Sequence, residues 1–241
     1  MNQGTYPLAA SMVNQINRLD QISNNLANNN THGFKQDGLT ETTFNHYLQR
    51  AQDEGFTPTK INAVTNNIPK IDSMYIDGEV GAIASTGNKL DFALEQPDTF
   101  FKLQNQNGDI VYTRDGAFKN SDGFLVDSNG SNILNADNGP IEIDENVNVR
   151  EQIGVTQIPF SNLEKIGNNS FKLKDDNEFA IYDNNDGLIV EGAIEKSNVN
   201  SVTAMVELID AHRRFDQSQK AIKTIDELNG KVIEKVGSNT N

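Results

Sequence analysis

The C-terminal residues of this chain carry one long apolar repeat. From residue 195 onward, apolar side chains recur mostly three or four positions apart, and polar or charged residues fill most of the gaps. This spacing predicts one long amphipathic helix with a narrow apolar seam. Ser197, Asn198 and Ser201 offer N-capping groups just before it. The predicted seam comprises Val202, Met205, Ile209, Phe215, Ile222, Ile225 and Val232.

The N-terminal residues carry a matching repeat, formed by Met12, Ile16, Leu19, Ile22 and Leu26. A helix with a narrow apolar seam buries that seam against another helix. The opposite end of the same chain is the first candidate partner, because a helix cannot bury its seam against itself. We therefore expect an α+β fold, in which both termini form a discontinuous, coiled-coil-like helical domain. The residues between them form an inserted antiparallel all-β domain.

The middle of the chain has a strand pattern. Short runs rich in β-branched and aromatic residues alternate with Asn-Gly and Asp-Gly pairs, which supply the positive φ angles of tight hairpins. Many short strands at this spacing suggest a closed or sandwiched antiparallel domain. The predicted strands are 90–94, 100–104, 110–113, 124–126, 141–143, 154–158, 171–173, 179–182 and 188–190. The predicted turns are Asn107-Gly108, Asp115-Gly116, Asp122-Gly123, Asn129-Gly130, Asn138-Gly139 and Asp186-Gly187.

These patterns divide the chain into four predicted segments. Residues 1–32 form the N-terminal helix, and residues 33–74 form an extended connector. Residues 75–194 form the β-rich domain, and residues 195–241 form the C-terminal helix that pairs with the first one. The first helix ends in an asparagine-rich turn before Gly33, because asparagine and glycine favour helix ends and turns.

Composition excludes several classes of function. The net charge of −14 repels nucleic-acid phosphates, so we expect no nucleic-acid partner. The chain has no cysteine, which excludes disulfides, thiolate metal sites and a cysteine nucleophile. The N-terminal residues show no basic start followed by an apolar core, so we expect no cleaved secretory signal. No apolar run approaches the roughly 20 residues that a transmembrane helix needs.

No catalytic, metal-binding or cofactor-binding motif is present in the sequence. The three histidines, His32, His46 and His212, lie far apart and outside any metal-binding array. With 34 acidic residues, a chance pair of carboxylates is certain to exist and carries little weight. We therefore expect a protein without enzymatic activity, metal or cofactor. The terminal seams fit either an ordinary intramolecular core or packing between subunits, and periodicity does not separate these two.

Four ordered motifs resemble the signatures of bacterial flagellar rod and hook proteins. The N-terminal motif comprises Asn24, Asn25, Leu26, Ala27, Asn28, Thr31, Gly33 and Phe34, and the C-terminal motif comprises Ser197, Asn198, Val199 and Asn200. Two internal segments, residues 86–101 and 112–126, match as well. The resemblance implies a structural subunit of the flagellar basal-body rod, with paired terminal helices in a tubular core and a β domain outside it.

The resemblance also implies partners and a location. The partners are copies of this chain, other flagellar rod subunits, the rod-to-export-gate adaptor and the flagellar type III export apparatus. The location is the periplasmic rod of the basal body, reached without a cleaved signal peptide. In this position the subunit transmits torque and lines the export channel.

The opening residues resemble those of one kind of rod subunit. Asn2-Gln3-Gly4-x-Tyr6, followed by residues 12–20, is most similar to proximal rod subunits of the epsilon-proteobacterial type. The distal rod subunit, a close and usually longer sibling, is the alternative. A secreted adhesin or glycan-binding β protein, and a hydrolase using carboxylates of the β domain, are further alternatives.

Overall fold

A computed structural model describes residues 5–43, 69–144, 148–174, 181–182 and 188–238. The chain divides into two compact units. The helical unit comprises residues 1–26, 38–75 and 201–241, and the β unit comprises residues 27–37 and 76–200. Both ends of the chain therefore belong to one unit, and the chain passes between the units four times.

Two long helices and a small sheet make up the described part of the helical unit. Helix α1 spans Thr5–Ala27, and the C-terminal helix, α3, spans Ser201–Ser238. At about 1.5 Å per residue, these helices are roughly 35 and 57 Å long. Strand β1, Asp37–Thr43, pairs with strand β2, Pro69–Ile76. The predicted mixture of terminal helices and mostly antiparallel sheet is confirmed, whereas coiled-coil pairing stays a prediction.

Short antiparallel strands dominate the β unit. A short helix, α2, spans Val149–Gln152 and is capped by the Asn148 side chain, which accepts from the Arg150 amide. A single 3-10 turn follows at Phe160–Asn162. The strands are β3 Ile83–Ser85, β4 Phe92–Leu94, β5 Thr99–Gln104, β6 Ile110–Thr113, β7 Lys119–Ser121, β8 Phe124–Val126, β9 Asn132–Ile133, β10 Val155–Gln157, β11 Leu163–Gly167, β12 Ser170–Leu173, β13 Ile181–Tyr182, β14 Ile189–Glu191 and β15 Ala193–Glu195.

One large sheet organises these strands. Among the described residues it has nine strands, in the order β11-β12-β6-β5-β9-β8-β7, with β10 pairing to both β5 and β13. The pairs β14-β4 and β15-β3 lie outside it. The strand pairs of the β unit whose register is defined are all antiparallel. The antiparallel β domain expected from the turn pattern is therefore present.

Strand β5 separates two apolar cores. Phe101 and Leu103 belong to the larger core, whereas Phe100 belongs to a smaller one with Phe171. This alternation follows from the period of two along a strand. Because both faces are covered, five of its six residues are buried, including Lys102. The Lys102 ammonium reaches the loop of residues 135–139 and donates to the Ala136 carbonyl oxygen at 2.9 Å.

Some predicted strands and turns differ from the structure. Residues 141–143 form only an isolated bridge, at Glu142. The sequence did not predict β7, whose three residues are all exposed and lack an apolar alternation. The predicted turns at Gly108 and Gly123 are confirmed, with φ angles of 90° and 88°. Several predictions fall outside the described residues. They concern residues 44–68 of the connector, His46, residues 179–180 of a predicted strand and the Asp186-Gly187 turn.

The predicted hairpin role of Gly116 is wrong. Its φ angle is not among the positive values of the described glycines. Instead, a Cβ atom at this position would lie 1.7 Å from the Phe92 carbonyl oxygen. The Phe92 amide donates to the Gly116 carbonyl oxygen at 2.9 Å, so two backbone segments meet here. Glycine is required at this position because a side chain has no room, not because of the turn type.

Replacement of Gly116 by alanine tests this close approach. We expect Gly116→Ala to lower the free energy of unfolding by about 3 kcal/mol, since backbone must move to make room. Gly108→Ala, where a Cβ meets nothing within 4 Å, is the matched control. It should cost only about 1 kcal/mol from its left-handed backbone. Urea unfolding followed by circular dichroism measures both, and equal losses would contradict the steric explanation.

Candidate functional site: a buried ion cluster and the helix surfaces

Three charged side chains form a buried ion cluster in the β unit: Lys35, Arg114 and Glu195. The Lys35 ammonium and the Arg114 Nε each lie 2.7 Å from a different carboxylate oxygen of Glu195. All three side chains are fully buried. Charges in such surroundings are tolerated only when they are paired and hydrogen bonded. The cluster therefore joins three segments of the β unit. Lys35 lies near its beginning, Arg114 in its middle and Glu195 near its end.

Further hydrogen bonds surround the cluster. The Arg114 guanidinium donates to the carbonyl oxygens of Leu94, Gln96 and Thr99, each at 2.9 Å. The Gly81 amide donates to Glu195 Oε1 at 2.8 Å. Burial, together with the nearby Arg114 charge, lowers the pKa of Lys35, and the Glu195 carboxylate opposes this shift.

Gly33 of the N-terminal motif packs directly on this cluster. Its φ angle is 64°, and its amide donates to the Glu195 carbonyl oxygen at 2.8 Å. A Cβ atom here would lie 2.4 Å from the Arg114 carbonyl carbon. Both the left-handed backbone and the lack of space require glycine. The next residue, Phe34, is buried and lies 4.4 Å beneath the Lys165 ammonium.

Asn198 of the C-terminal motif connects three backbone segments of the β unit. Its side-chain oxygen accepts from the Gln36 amide at 2.8 Å, and its side-chain nitrogen donates to the Asp77 carbonyl oxygen at 3.1 Å. Its own amide donates to the Phe34 carbonyl oxygen at 3.3 Å. The predicted N-capping role of Asn198 is therefore wrong, because its side chain is used elsewhere. The Ser197 hydroxyl oxygen accepts from the Val199 amide at 3.2 Å, ahead of the helix that begins at Ser201.

The other motif residues lie around the end of α1. Asn25 is buried, Leu26 is half-buried, and Asn24 and Ala27 are exposed. The Thr31 hydroxyl donates to the Asn28 side-chain oxygen at 3.2 Å, which tightens the turn after the helix. Within the C-terminal motif, Val199 is buried and Asn200 is exposed. Lys35, Arg114 and Glu195 were not assigned a role from the sequence. Arg114 lies inside the internal segment 112–126, Lys35 directly follows Phe34 of the N-terminal motif, and Glu195 lies two residues before Ser197.

Helix α3 presents apolar side chains on two opposite faces. Residues of its covered face, spaced alternately four and three apart, are buried or half-buried: Ala204, Leu208, Ala211, Phe215, Ser218, Ile222 and Ile225. The outer face of α3, about half a turn away at 3.6 residues per turn, comprises Val202, Met205, Val206 and Ile209. These four side chains are 51–71% exposed. The single predicted seam therefore contains residues of two faces.

The predicted seam residues of the two helices divide into a covered group and an exposed group. Covered positions are Met12, Leu19, Ile22, Leu26, Phe215, Ile222 and Ile225. Exposed positions are Ile16, Val202, Met205, Ile209 and Val232. Val13 of α1 and Leu228 and Ile233 of α3 are also more than half exposed. Sequence periodicity did not separate these groups, because three- and four-residue steps accumulate on either face.

The β unit contains a carboxyl group with a shifted pKa, that of Asp115. Burial raises the pKa of the Asp115 carboxyl, a shift that also occurs in functional carboxylates. Its carboxylate, however, accepts from the Ala117 amide at 3.0 Å, within the turn that follows Arg114. Across the described ranges, no three His, Cys, Asp or Glu side chains form a group able to hold a metal ion. Within those same ranges, no helix has both the length and the hydrophobicity that crossing a bilayer requires.

Both chain ends form one unit, and its long helices expose apolar side chains. Exposed apolar patches mark interaction sites, so this unit is suited to contacts with other proteins. Comparisons with known proteins identify the assembly. Residues 96–158 match the family described as flagellar hook protein FlgE/F/G D1 domain. Residues 190–234 match the family described as flagellar basal body rod FlgEFG protein C-terminal.

Whole-chain relatives agree with these matches. The flagellar basal-body rod protein FlgG of Borreliella burgdorferi is 31% identical over 261 residues, covering 95% of this chain and 97% of that protein. FlgG of Bacillus subtilis is 30% identical with the same coverage. FlgF of Rhizobium meliloti is 28% identical, covering 98% of this chain and 99% of that protein. The chain belongs to the flagellar basal-body rod protein family, and it is a structural rod subunit of the flagellum basal body.

Removal of the shared carboxylate tests the buried ion cluster. We expect Glu195→Ala to lower the free energy of unfolding by about 3–5 kcal/mol, because it leaves two buried cations without a counter-charge. Lys196→Ala, at the next and exposed position, is the matched control and should change little. Urea unfolding of the purified chain measures both. Equal, small losses in the two variants would show that the cluster is not required.

Proposed function

We propose that this chain forms the proximal part of the rod, where it transmits torque and lines the export channel. Its opening residues, Asn2-Gln3-Gly4-x-Tyr6, support the proximal position because they resemble those of proximal subunits. Relatives named FlgF and FlgG both align along nearly the whole chain, so the distal position is the second candidate.

The exposure of apolar side chains on the outer face of α3 is the observation that supports packing of this helix against neighbouring subunits. Val202, Met205 and Ile209 are at least half exposed, although they are large apolar side chains. Burying such area in contacts with neighbouring subunits contributes about 25 cal/mol per Å². Since the covered face of the same helix lies opposite, α3 would have neighbours on both sides. Ile16 of α1 and Val232 of α3 are also exposed apolar side chains that neighbouring subunits could cover.

Torque transmission follows from this arrangement. A rod must resist twisting, and close-packed side chains between long helices deform little. Contacts that join different surfaces of identical subunits build a helical array when the rotation between subunits does not close into a ring. The subunits would contact copies of this chain, other rod subunits and the rod-to-export-gate adaptor. Delivery to the periplasmic rod by the flagellar type III export apparatus, without signal cleavage, agrees with the absence of cysteine.

Imaging of isolated basal bodies distinguishes the two positions. We expect electron cryo-microscopy to locate this chain, by its side chains, in a short layer at the export-gate end of the rod. Density for this chain along the many-copy outer length would identify the distal subunit instead. Its absence from the rod altogether would overturn the proposed function and favour the adhesin alternative.

A charge on the outer face of α3 tests subunit packing. We expect Ile209→Asp to abolish rod assembly and motility, because a buried, unpaired charge costs several kcal/mol at an interface. The free energy of unfolding of the isolated chain should hardly change, since Ile209 is 51% exposed there. Ile166→Asp in the β unit is the matched control, because Ile166 is 49% exposed. Normal motility of Ile209→Asp in a soft-agar assay would exclude this face from assembly.

A further inference from the structure

The sequence contains four Asn-Gly pairs, which begin at Asn107, Asn129, Asn138 and Asn229. Asparagine before glycine is open to a slow reaction between its side chain and the following backbone nitrogen, because glycine has no side chain to hinder the approach. The first three pairs lie in turns of the β unit, and the fourth lies inside α3. Since all four share the same local sequence, differences in their reactivity must come from the folded structure.

The reaction is an internal attack that releases ammonia. The glycine backbone nitrogen forms a bond to the Cγ carbon of the asparagine side chain, and the bond from Cγ to Nδ2 breaks. The leaving nitrogen takes up the proton that the glycine amide loses. Water then opens the resulting cyclic succinimide to aspartate or isoaspartate. The reaction therefore requires a glycine nitrogen that is within reach and an asparagine side chain that is free to turn toward it.

Asn107 has a free side chain in the loop between β5 and β6. Residues 106–110 are all exposed. Among the described residues the Asn107 side chain has no hydrogen-bond partner, and its backbone amide donates to the Asn105 side-chain oxygen at 2.9 Å. The Gly108 amide donates to the Asn105 carbonyl oxygen at 3.0 Å. Because this bond lies in an exposed loop, local opening releases the Gly108 nitrogen at little cost in free energy.

The side chains of Asn129 and Asn138 are held by buried groups. Asn129 Nδ2 donates to the carboxylate of the buried Asp127 at 3.2 Å. Asn138 Oδ1 accepts from the ammonium group of the buried Lys102 at 2.7 Å. Turning either asparagine toward its glycine breaks a hydrogen bond to an ionisable group. Both side chains therefore lack the freedom that Asn107 has.

Helix α3 protects Asn229 in a different way. Gly230 lies inside this helix, so its amide donates to the carbonyl oxygen four residues earlier. Attack by the Gly230 nitrogen requires a turn of the helix to open first.

We propose that Asn107 is a site of spontaneous deamidation and the fastest-reacting of the four Asn-Gly pairs. The conversion places a new carboxylate two residues before Asp109, whose own carboxylate lies 3.3 Å from Asn105 Nδ2. The isoaspartate product also lengthens the backbone inside the loop. It therefore disturbs the hydrogen bond from the Asn105 amide to the Asp109 carbonyl oxygen, which is 3.0 Å long. This modification is independent of the position of the subunit in the rod.

Ageing of the purified full-length chain tests the order of reactivity. The folded chain is incubated at mildly alkaline pH, and samples taken at intervals are digested at acidic pH and analysed by mass spectrometry. We expect Asn107 to convert at least about fivefold faster than Asn129 or Asn138, because each of these must first lose a hydrogen bond to a charged group. Asn229 should convert most slowly. Equal or faster conversion at any of the other three pairs would overturn the proposal.

The same incubation in urea separates structure from sequence. We expect the four pairs of the unfolded chain to convert at rates within about threefold of one another, since the folded contacts are then absent. If the ranking of the folded chain persisted in urea, the structural explanation would be wrong.

Two matched alanine variants test the internal attack. Gly108 and Gly130 both have a positive φ angle, and a Cβ atom at either meets nothing within 4 Å. We expect Gly108→Ala to slow conversion of Asn107 at least about tenfold, because the added methyl group hinders the attacking nitrogen. Conversion of Asn129 should not change in this variant, whereas Gly130→Ala should slow Asn129 alone. Undiminished conversion of Asn107 in Gly108→Ala would rule out attack by the Gly108 nitrogen.

Discussion

A carboxylate removed from water between two cations is the interaction on which the β unit depends. Glu195 lies immediately before the segment that leads to α3, and Lys35 lies after the turn that ends α1. Arg114 comes from the middle of the β unit and bonds to three carbonyl oxygens as well. Buried ion pairs contribute little net stability compared with apolar packing. Their geometry is specific, however, and it fixes where the chain enters and leaves the β unit.

The motif glycines and asparagines follow from this cluster. Gly33 must lack a side chain because the Arg114 backbone occupies that space. Asn198 holds the segments around Gln36 and Asp77 beside the cluster. The family motifs at the two chain ends are therefore two halves of one packing arrangement. Their separation by more than 150 residues in the sequence concealed this relationship.

Local patterns predicted the elements, whereas contacts between distant residues were not predictable. Turn pairs such as Asp122-Gly123 marked hairpins, because the required φ angles depend on the residue itself. The three-and-four spacing of apolar residues predicted both helices, because this spacing is likewise contained in residues close together in the sequence. The buried ion cluster depends on three segments meeting, and no local pattern contains that information. The different requirement for Gly116, a close approach of the Phe92 backbone, is equally non-local.

The two faces of α3 connect local pattern with assembly. A helix inside a single compact domain hides one apolar face and presents a polar one. In α3 the covered face contains polar Ser218, while the opposite face exposes Val202 and Ile209. Polar residues within a helical seam sacrifice stability and specify which partner and register are accepted. Apolar residues on the outside supply area that only a neighbour can bury. The combination suits a subunit whose helices are completed by contacts with other subunits.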